Sequence, residues 1–593
     1  MTRRYFGTAL VLILLEGAAF AQQVKVREEV LANGMKLLMV ERHDSPTIAC
    51  GWVAKVGSVN ETAGITGISH LFEHMLFKGT RTIGTSDNER DARILAQQDA
   101  VRAEMEAEYA VLREKLRSGE ISGDIYDPAN VTPRLRELRG ELEKLYAAEK
   151  EVIVKDEIDQ IYTREGGSDL NAFTGEDQTV YFVTLPSNKL ELWFWMESDR
   201  LANPVFREFY SERDVVREER RLRIESTPTG KFQEAFDAMF WESSPYSHPV
   251  AGWPADVESI TRAQAESYFG TYYAPNNITA ALVGDFDPDA TLNLARVYFG
   301  RLPRGKTAPP EMITTEMPQL AEKRFLAEAD TNPEIVIRYH AVPLPHKDMW
   351  PFQLLARILN GRTGRLYAAL VEDKQVAVGE PSAMAEARKY EGYFEARAEV
   401  REGRRAEDVE AALEAELSKL AKEPVGEHEL QKVKNQELAN SFRRLRYDSD
   451  LMVQLLVFDS TGTWRFINEG PTKAQAVTAG DIQRVAAEYL TKDARNVIVY
   501  ARRDAGAPEP RELAGLPPQM KTMVRQQAAA IERATDRAKL EEMLTQLRTM
   551  AVSVPPELKP AVQLLITLAE KRLGSLPPST APVGEAPKPA PGA

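Results

Sequence analysis

Two histidines and a glutamate lie close together in the stretch GISHLFEHMLFKGT, and their types and spacing suit a metal site. If residues 66–79 form a helix, His70 and His74 are one turn apart and both imidazoles can point at one cation. Zinc takes imidazole nitrogen readily and needs few protein ligands. Glu73 neighbours both histidines and could take a proton from a water that the metal activates. The alternative is a chance cluster on a polar helix face, but two histidines that bracket a glutamate favour the metal site.

The apolar residues of the same stretch predict how that helix is held. They recur at threes and fours, so they form one face that packs on a core while the histidines occupy another face. The residues of the apolar face are Ile68, Leu71, Phe72, Met75 and Leu76.

A third ligand is needed, because two histidines leave the zinc coordination sphere short. The segment YSERDVVREERRLRIES offers one, and Ser211 with Asp214 predicts a capping box that starts a helix there. One face of this helix should carry Glu212, Val215, Val216, Glu219 and Leu222. Carboxylates on an otherwise apolar stripe are costly unless they bind something. Either Glu219 or Glu212 can therefore complete the site, and the alternative is a carboxylate paired with a nearby arginine.

The surrounding segments predict a sheet that positions these helices. From Lys36 the chain alternates apolar and polar residues, turns at His43–Pro46 and resumes as TIACGWVAKVG, which predicts a hairpin. LNAFTGEDQTVYFVTLP and NNITAALVGDF are rich in strand-forming residues. Between the two candidate ligand segments, residues 84–165 are long, charged and helix-favouring, with Gly and Pro breakers midway. We expect an inserted helical hairpin there, as a solvated structural arm without chemistry.

After the N-terminal segment, the sequence predicts five parts. The first domain covers 26–305, and 306–322 form a Pro/Gly-rich linker. Residues 323–505 repeat a similar order of strands and helices, so the fold class is α+β, with helices packed on sheets in a sandwich-like arrangement. Residues 510–576 form a helical extension. The last segment, 577–593, is a Pro/Ala tail that composition predicts to be disordered.

The N-terminal sequence MTRRYFGTALVLILLEGAAFAQQV has the basic start, apolar run and small-x-small pattern of a secretory signal peptide over residues 1–21. The alternative is an uncleaved membrane anchor, which the shortness of the apolar run disfavours. No other apolar stretch is long enough to cross a membrane. We therefore expect a periplasmic or secreted protein with no transmembrane segment after signal cleavage.

Composition excludes other classes of function. The chain has 593 residues, 43% of them hydrophobic and 28% charged, with a formal charge of -14. An acidic balance argues against nucleic-acid binding. The single cysteine, Cys50, rules out intramolecular disulfides and cysteine-based metal sites.

The motifs together resemble the insulinase/pitrilysin family of zinc metallopeptidases with the inverted motif HxxEH. The resemblance rests on HxxEH, on an Asn-Ala-aromatic-Thr strand and on two glutamates seven apart, and it extends into SPYSHPVAGWPADVESIT. It implies a fold of two homologous domains, each with a mainly antiparallel sheet covered by helices. It also implies one Zn²⁺ per chain and peptides or unfolded polypeptides as substrates.

The resemblance assigns a role to each matching residue. His70, His74 and Glu219 correspond to the three zinc ligands, and Glu73 to the general base. Glu212 corresponds to an accessory glutamate of the catalytic site. Asn171 and Ala172 correspond to the edge-strand residues that hold the substrate backbone, where main-chain pairing tolerates many side chains.

One part of the family pattern is missing. Members typically bind the substrate with an Arg and a Tyr, seven apart, from the second domain, and register with the family places Val371 and Val378 there. Neither valine donates a hydrogen bond, whereas Arg365 and Tyr367 have the wrong spacing. We therefore expect a heterodimer in which a second insulinase-family subunit supplies the Arg/Tyr pair. The alternative function is a non-catalytic scaffold or peptide-binding subunit of the same fold.

Overall fold

The computed structural model describes residues 23–503, 513, 516–534, 537–556 and 558–576. The expected signal peptide, 1–21, and the Pro/Ala tail, 577–593, lie outside the described residues. The described chain divides into two compact units. The first contains the residues up to Phe325 together with Glu334–Val499, and the second contains Leu326–Pro333 and the chain from Tyr500 onward.

The first sheet has six strands, and its spatial order is β1-β2-β6-β3-β5-β4. All its strand pairs are antiparallel except β2 with β6. The strands are β1 (Arg27–Val30), β2 (Lys36–Glu41), β3 (Thr47–Ala54), β4 (Ser168–Thr174), β5 (Thr179–Pro186) and β6 (Ile278–Gly284). The strand β4 therefore lies at one edge of the sheet, where a further strand can pair with it.

The hairpin predicted from Lys36 onward is wrong. Strands β2 and β3 follow one another in sequence, but β6 lies between them, parallel to β2 and antiparallel to β3. All seven residues of β6 are buried. An apolar strand of this kind needs neighbours on both sides and cover on both faces, so it takes the central position and separates the two earlier strands.

Between residues 23 and 322 the structure describes ten α-helices: α1 (Ile68–Met75), α2 (Asn88–Ser118), α3 (Pro133–Lys150), α4 (Glu157–Arg164), α5 (Leu190–Ala202), α6 (Phe209–Arg220), α7 (Gly230–Phe240), α8 (Pro254–Ser259), α9 (Arg262–Tyr272) and α10 (Pro288–Tyr298). The core beneath them joins the sheet to α1, α5 and α9 through residues such as Trp52, Phe72, Trp193 and Tyr268.

Helices α2 and α3 form the inserted hairpin, which we call the arm. Asp87 caps α2 by accepting a hydrogen bond from the Arg90 amide at 3.0 Å, and Gly119 ends the helix with a left-handed φ of 78°. Thr132 caps α3 with Pro133 in its first turn. The two helices pack on one another through a cluster of their own that includes Met105, Tyr109, Leu112, Leu135 and Leu138.

The second sheet has five strands in the order β7-β11-β8-β10-β9. They are β7 (Lys323–Ala329), β8 (Glu334–Ala341), β9 (Ala377–Ala387), β10 (Gly392–Val400) and β11 (Asn496–Arg502). The helices of this half are α11 (Met349–Leu359), α12 (Ala406–Lys422), α13 (Glu427–Arg444), α14 (Asp448–Thr461), α15 (Phe466–Ala476) and α16 (Ala479–Tyr489). Two sheets, each accompanied by helices of its own half, confirm the predicted α+β fold class.

Helix α14 belongs to the second half by sequence but covers the first sheet. Leu451, Met452, Leu455 and Leu456 pack against residues of β2, β3, β5 and β6 in one cluster. The approach is close enough that Gly51 of β3 has no room for a side chain, because a Cβ there would lie 2.6 Å from Met452 Sδ. The two α/β halves therefore share one hydrophobic core region.

The second compact unit carries the C-terminal helices α17 (Pro518–Arg533), α18 (Arg537–Ser553) and α19 (Lys559–Ser575). They pack on a core of their own that includes Ile531, Leu540, Leu547, Leu565 and Ala569. Among the described residues, no helix is both long and apolar enough to span a membrane.

Candidate metal centre

Helix α1 is built to hold one polar face rigidly. Its apolar residues Ile68, Leu71, Phe72 and Met75 are at most 1% exposed, as the periodicity predicts. The helix begins at Gly67, which has a left-handed φ of 89°. The buried carboxylate of Glu61 accepts hydrogen bonds from the amides of Gly67 at 2.7 Å and Ser69 at 2.8 Å. These bonds satisfy amides that the helix itself leaves unpaired at its N-terminus.

The structure brings together the three residues proposed as metal ligands. Glu219 Oε2 lies 3.8 Å from His70 Nε2 and 3.4 Å from His74 Nε2. One ligand atom from each residue lies within 4.8 Å of the other two. Tetrahedral zinc bonds of about 2.0–2.1 Å require ligand atoms about 3.4 Å apart. The two distances to Glu219 are close to this value, and two imidazole nitrogens with one carboxylate oxygen are ligands that zinc takes. Three such ligands leave a fourth position for a reactant.

Glu212 orients the second histidine. His74 Nδ1 donates to Glu212 Oε1 at 2.9 Å, so the lone pair of the neutral imidazole is on Nε2, which faces Glu219. Burial acts to lower the pKa of His74, but the hydrogen bond and charge of Glu212 outweigh it and raise the pKa. Lys78 Nζ also contacts Glu212, at 2.6 Å. Burial acts to raise the pKa of Glu212, yet the bonds from His74 and Lys78 hold it below its usual value.

His70 is held in the form that a metal needs. Burial lowers its pKa to about 4, and the neighbouring His74 adds to the effect, so the imidazole is neutral near pH 7. Its Nδ1 is buried and has no hydrogen-bond partner among the described residues. The other ring nitrogen, Nε2, points to the ligand cluster.

Glu73 lies beside the ligands and is tied to the edge strand. Its Oε2 accepts a hydrogen bond from Thr174 Oγ1 of β4 at 2.6 Å. Burial raises the pKa of Glu73, and the bond from Thr174 offsets this only in part. A carboxylate with a raised pKa can both accept a proton and release it again, which suits a general base that later acts as an acid.

Helix α6 carries Glu212 and Glu219 but does not begin where the sequence suggested. The predicted capping box of Ser211 and Asp214 is wrong, because the helix starts at Phe209 with Glu208 as its N-cap. Ser211 Oγ instead donates to the carbonyl of Glu208 at 2.9 Å, inside the helix. The amide of Glu208 donates to Glu149, which lies 59 residues away, and a local motif does not report a contact of this kind.

The expected apolar stripe on α6 is also wrong in part. Val215 and Leu222 are 51% and 56% exposed, whereas Val216 is fully buried. Glu212 and Glu219 thus lie on an open face that meets α1, rather than within an apolar stripe. Their carboxylates are held by charge and hydrogen bonding to His74, Lys78 and Arg223.

Asn171 and Ala172 lie on the edge strand β4, opposite Phe182 and Tyr181 of β5. A bulge between Ser168 and Asn171 bends this edge. Asn171 is exposed and its side-chain Oδ1 accepts from the Ala172 amide at 2.8 Å, while Ala172 is only 8% exposed. Thr174 of the same strand connects this edge to Glu73.

A cavity of about 470 Å³ adjoins the centre at Arg223. It is formed by α7 and the loop that follows, together with strands β8, β9 and β10. Arg223 Nη1 contacts Glu219 Oε1 at 2.7 Å. Tyr246, His248, Arg388 and Tyr393 also line the cavity. A volume of this size accommodates several side chains.

Val371 and Val378 lie on elements of the second half. Val371 is in a π-helical segment, Tyr367–Asp373, where it packs against the second core, and Val378 is on β9 opposite Glu399. Arg365, the nearby arginine, is bound to Glu429 by two hydrogen bonds of 2.9 and 2.7 Å. Its guanidinium is therefore already engaged.

Several residues of the site were missed by sequence reasoning. Lys78 and Arg223 each follow a site residue by four positions, so helical spacing could have indicated them. Thr174 lay in the quoted strand motif, but nothing in the sequence linked its hydroxyl to Glu73. Glu61 had no signal, because its role depends on a turn that brings it to the start of α1.

Comparison with known proteins identifies relatives of the whole two-sheet part of the chain. Residues 36–118 match the family model described as Insulinase (Peptidase family M16), and residues 259–437 match Peptidase M16 inactive domain. Zinc protease PqqE of Helicobacter pylori is 25% identical over 510 residues, which cover 84% of this chain and 98% of the relative. An uncharacterized zinc protease of Mycobacterium leprae is 30% identical over 226 residues, or 37% of this chain and 50% of the relative.

Solved structures share the fold. A protease from Helicobacter pylori aligns with a TM-score of 0.65 and 21% identity over 81% of this chain and all of that one. The periplasmic protease PqqL from Escherichia coli aligns with a TM-score of 0.60 and 17% identity, over 86% of this chain and 51% of that one. The motifs, the fold and these relatives agree, and this chain belongs to the insulinase family, peptidase family M16.

Proposed function

We propose that this chain is a zinc-dependent endopeptidase that hydrolyses peptides or unfolded polypeptides, with Glu73 as its general base. The observation that carries the proposal is the arrangement of four side chains from two helices. His70, His74 and Glu219 converge to a spacing that suits zinc, and Glu73 lies on the same helix beside them. A scaffold has no need of a half-buried base next to three convergent ligands.

The chemistry follows from the positions of these groups. A bound zinc ion would supply a Lewis acid that polarises a peptide carbonyl and makes water a better nucleophile. Glu73 accepts the proton of the attacking water and passes it to the leaving amine. Glu212 holds His74 in the tautomer that presents Nε2, so it acts through the ligand rather than on the substrate.

The edge strand β4 gives a physical basis for substrate binding. An extended peptide that pairs with Asn171–Thr174 is fixed by main-chain hydrogen bonds, which accept many side-chain sequences. The same strand carries Thr174, which hydrogen-bonds Glu73, so docking at the edge places a peptide bond close to the base. This favours unfolded chains, since most backbone groups of a folded protein are already paired and few of its extended segments are free to dock.

The proposed peptidase also needs a partner subunit for substrate binding. Val371 and Val378 provide no hydrogen-bond donor where family members use Arg and Tyr, and losing one such donor costs about 10²–10³ in rate. We propose that a second insulinase-family chain supplies this pair in a heterodimer, with this chain as the zinc-bearing subunit. Full, Glu73-dependent activity of the purified lone chain would contradict the heterodimer but not the peptidase.

A second candidate function has one observation in its favour. Residues 259–437 match a family model described as an inactive domain, and this fold can serve as a scaffold or a peptide-binding subunit. Such a subunit would retain peptide binding at β4 without cleavage.

The deciding experiment compares wild type, Glu73→Gln and Glu218→Gln, each alone and with the candidate partner. Glu218 is the matched control, because it lies on α6 but pairs with Arg221 on the exposed side. Zinc content is measured by elemental analysis and cleavage with an unfolded protein substrate. Cleavage lost only in Glu73→Gln, with zinc retained, supports the peptidase. Peptide binding without cleavage in any combination supports the second candidate.

We also propose that the chain is exported to the periplasm. The signal-peptide pattern of residues 1–21 supports this, and the Escherichia coli relative in the structural comparison is described as a periplasmic protease. Fractionation of cells that produce the full chain or a chain without residues 2–21 tests it. Equal cytoplasmic amounts of both forms would contradict export.

A further inference from the structure

Helix α6 has two faces with different partners. The face that carries Glu212 and Glu219 meets α1 and its histidines. The opposite face is buried, and it consists of Phe209, Tyr210, Arg213, Val216 and Arg220. The arm contributes to the packing at the start of this buried face, through three sets of contacts to Arg207, Glu208 and Tyr210.

The first contact fixes the helix cap. Glu208 has a φ of 53°, a left-handed conformation that is unfavourable for a residue with a side chain. Glu149, at the end of α3 in the arm, accepts a hydrogen bond from the Glu208 amide at 2.8 Å. Its other oxygen accepts from Gln98 of α2 at 2.6 Å, and Glu149 is only 1% exposed. The arm thus holds the N-cap residue of α6 through Glu149 of α3, which Gln98 of α2 holds in turn.

The second contact is a buried ion pair. Arg207 Nε donates to Asp91 Oδ2 of α2 at 2.6 Å, and each side chain is 1% exposed. Arg207 also donates to the carbonyls of Lys78 and Ile83, which follow α1 in the chain. A buried guanidinium with this many fixed acceptors has little freedom to move, because each displacement leaves a polar group unpaired.

The third contact lies in the first turn of α6. Tyr210 donates its hydroxyl to Asp99 Oδ1 of α2 at 2.8 Å. Asp99 also accepts from Arg262 Nη1 at 2.9 Å, so the arm connects α6 to α9. The guanidinium of Arg102, also on α2, lies over the Tyr210 ring at 5.0 Å.

From these contacts we propose that the arm positions helix α6 and thereby the metal-facing carboxylates of Glu212 and Glu219. The proposal rests on the proposed zinc function, and it replaces the expectation that the arm is a structural element without chemistry. Glu212 follows the clamped cap by one turn, and the rigid helix carries the constraint on to Glu219. Glu149, Asp99 and Asp91 are positioning residues, since they act through α6 and not on the substrate.

The test measures zinc affinity by competition with a chelator, so it does not depend on peptidase activity. Glu149→Ala removes the acceptor of the Glu208 amide, and we expect the zinc Kd to rise by about tenfold or more, as for other residues that orient ligands. Glu149→Gln keeps an oxygen acceptor and should restore most of the affinity. Tyr210→Phe removes only a hydroxyl, so it should fold normally and raise the Kd by a smaller factor.

The matched control is Glu104→Ala, which breaks an exposed ion pair with Arg134 inside the arm. It should leave the zinc Kd unchanged. Hydrogen exchange at the first turn of α6 shows whether the clamp has been released, and it should accelerate in Glu149→Ala and Tyr210→Phe only. Faster exchange with a wild-type zinc Kd in both variants would overturn the proposal.

The outcomes also separate this proposal from the proposed function. Wild type that binds zinc but cleaves no peptide with any partner refutes the peptidase, and the arm proposal is still decided by the Kd values. Wild type that cleaves peptide while the variants keep its Kd refutes the arm proposal alone. Wild type that binds no zinc refutes both.

Discussion

Glu73 of α1 and Thr174 of the edge strand β4 are joined by a hydrogen bond of 2.6 Å. The bond links the proposed base directly to the strand on which a peptide would dock. It also fixes the carboxylate orientation from outside the helix, since α1 by itself leaves the long Glu73 side chain several rotamers. The base and the edge strand are therefore one structural unit, although they lie far apart in sequence.

Removing the Thr174 hydroxyl should lower the peptidase activity without changing the zinc content. In Thr174→Val the shape is nearly kept but Glu73 loses its donor, and we expect kcat to fall between about 10- and 100-fold, as for a misplaced catalytic group. Thr174→Ser retains a hydroxyl and should restore most of the rate. Steady-state kinetics and zinc content of the active assembly check both variants. An unchanged kcat in Thr174→Val would show that the bond does not orient the base.

Glu212 should act on metal affinity. Glu212→Ala removes the acceptor of His74 Nδ1 and leaves Lys78 without its closest carboxylate, so we expect zinc affinity to fall by about 10- to 100-fold. Glu212→Gln can still accept through its amide oxygen and should show a smaller loss. Chelator competition measures both, with Glu218→Ala as a control on the same helix. Equal affinities for wild type and Glu212→Ala would contradict the orienting role.

The sequence predicted the parts of the site that depend on local spacing. The two faces of α1 follow from residues three and four apart, and so does the closeness of His70, Glu73 and His74. Prediction from the sequence failed where segments distant in the chain decide which strands pair. The hairpin from β2 to β3 is wrong because β6 enters between them, and β6 lies over 200 residues further along the chain.

The errors on α6 have the same physical origin. Ser211 and Asp214 matched a capping box, but the helix starts earlier, where Glu149, 59 residues from Glu208, accepts a hydrogen bond from the amide of that N-cap residue. Val215 and Leu222 are apolar and on the expected face, yet they are exposed because that face borders the open site rather than a core. Amphipathic spacing gives the faces of a helix, but it does not say which face the tertiary fold covers.

His340 should make stability depend on pH. It stacks on Phe240 with 4.0 Å between ring centroids, and neither ring nitrogen has a hydrogen-bond partner among the described residues. Burial lowers its pKa to about 4. A depressed histidine pKa means that the unfolded chain binds the proton more tightly, so this contribution is complete above about pH 6.5 and is lost as the pH falls toward 4.

The test compares wild type with His340→Phe, which keeps an aromatic ring but cannot take a proton. Between pH 7 and pH 5 the free energy of unfolding of wild type should fall by about 2 kcal/mol more than that of His340→Phe. Urea unfolding at both pH values measures it. Identical changes in the two proteins would show that His340 is already solvated enough to bind a proton in the folded state.

Asp459 should stabilise the packing of helix α14 of the second half on the first sheet. It lies on α14 with its side chain 1% exposed, and it accepts from Lys36 Nζ at 2.8 Å, Lys55 Nζ at 2.9 Å and Thr279 Oγ1 at 2.7 Å. Lys36 and Thr279 lie on strands β2 and β6 of the first sheet, and Lys55 directly follows strand β3. Removing one member of a buried ion pair costs about 3–5 kcal/mol, because the remaining charges lose their counter-ion.

We therefore expect Asp459→Asn to destabilise the first compact unit by about 3 kcal/mol, toward the lower limit, since both lysines keep some solvent access. Asp450→Asn, an exposed change on the same helix, should leave stability within about 0.5 kcal/mol of wild type. Urea unfolding followed by tryptophan fluorescence measures both. If Asp459→Asn unfolds at the same urea concentration as wild type, the apolar contacts of α14 are sufficient to hold it on the sheet without the charge cluster. These contacts are made by Leu451, Met452, Leu455 and Leu456. A large shift means that the first sheet, against which helix α1 of the candidate metal centre packs, depends on a helix contributed by the second half.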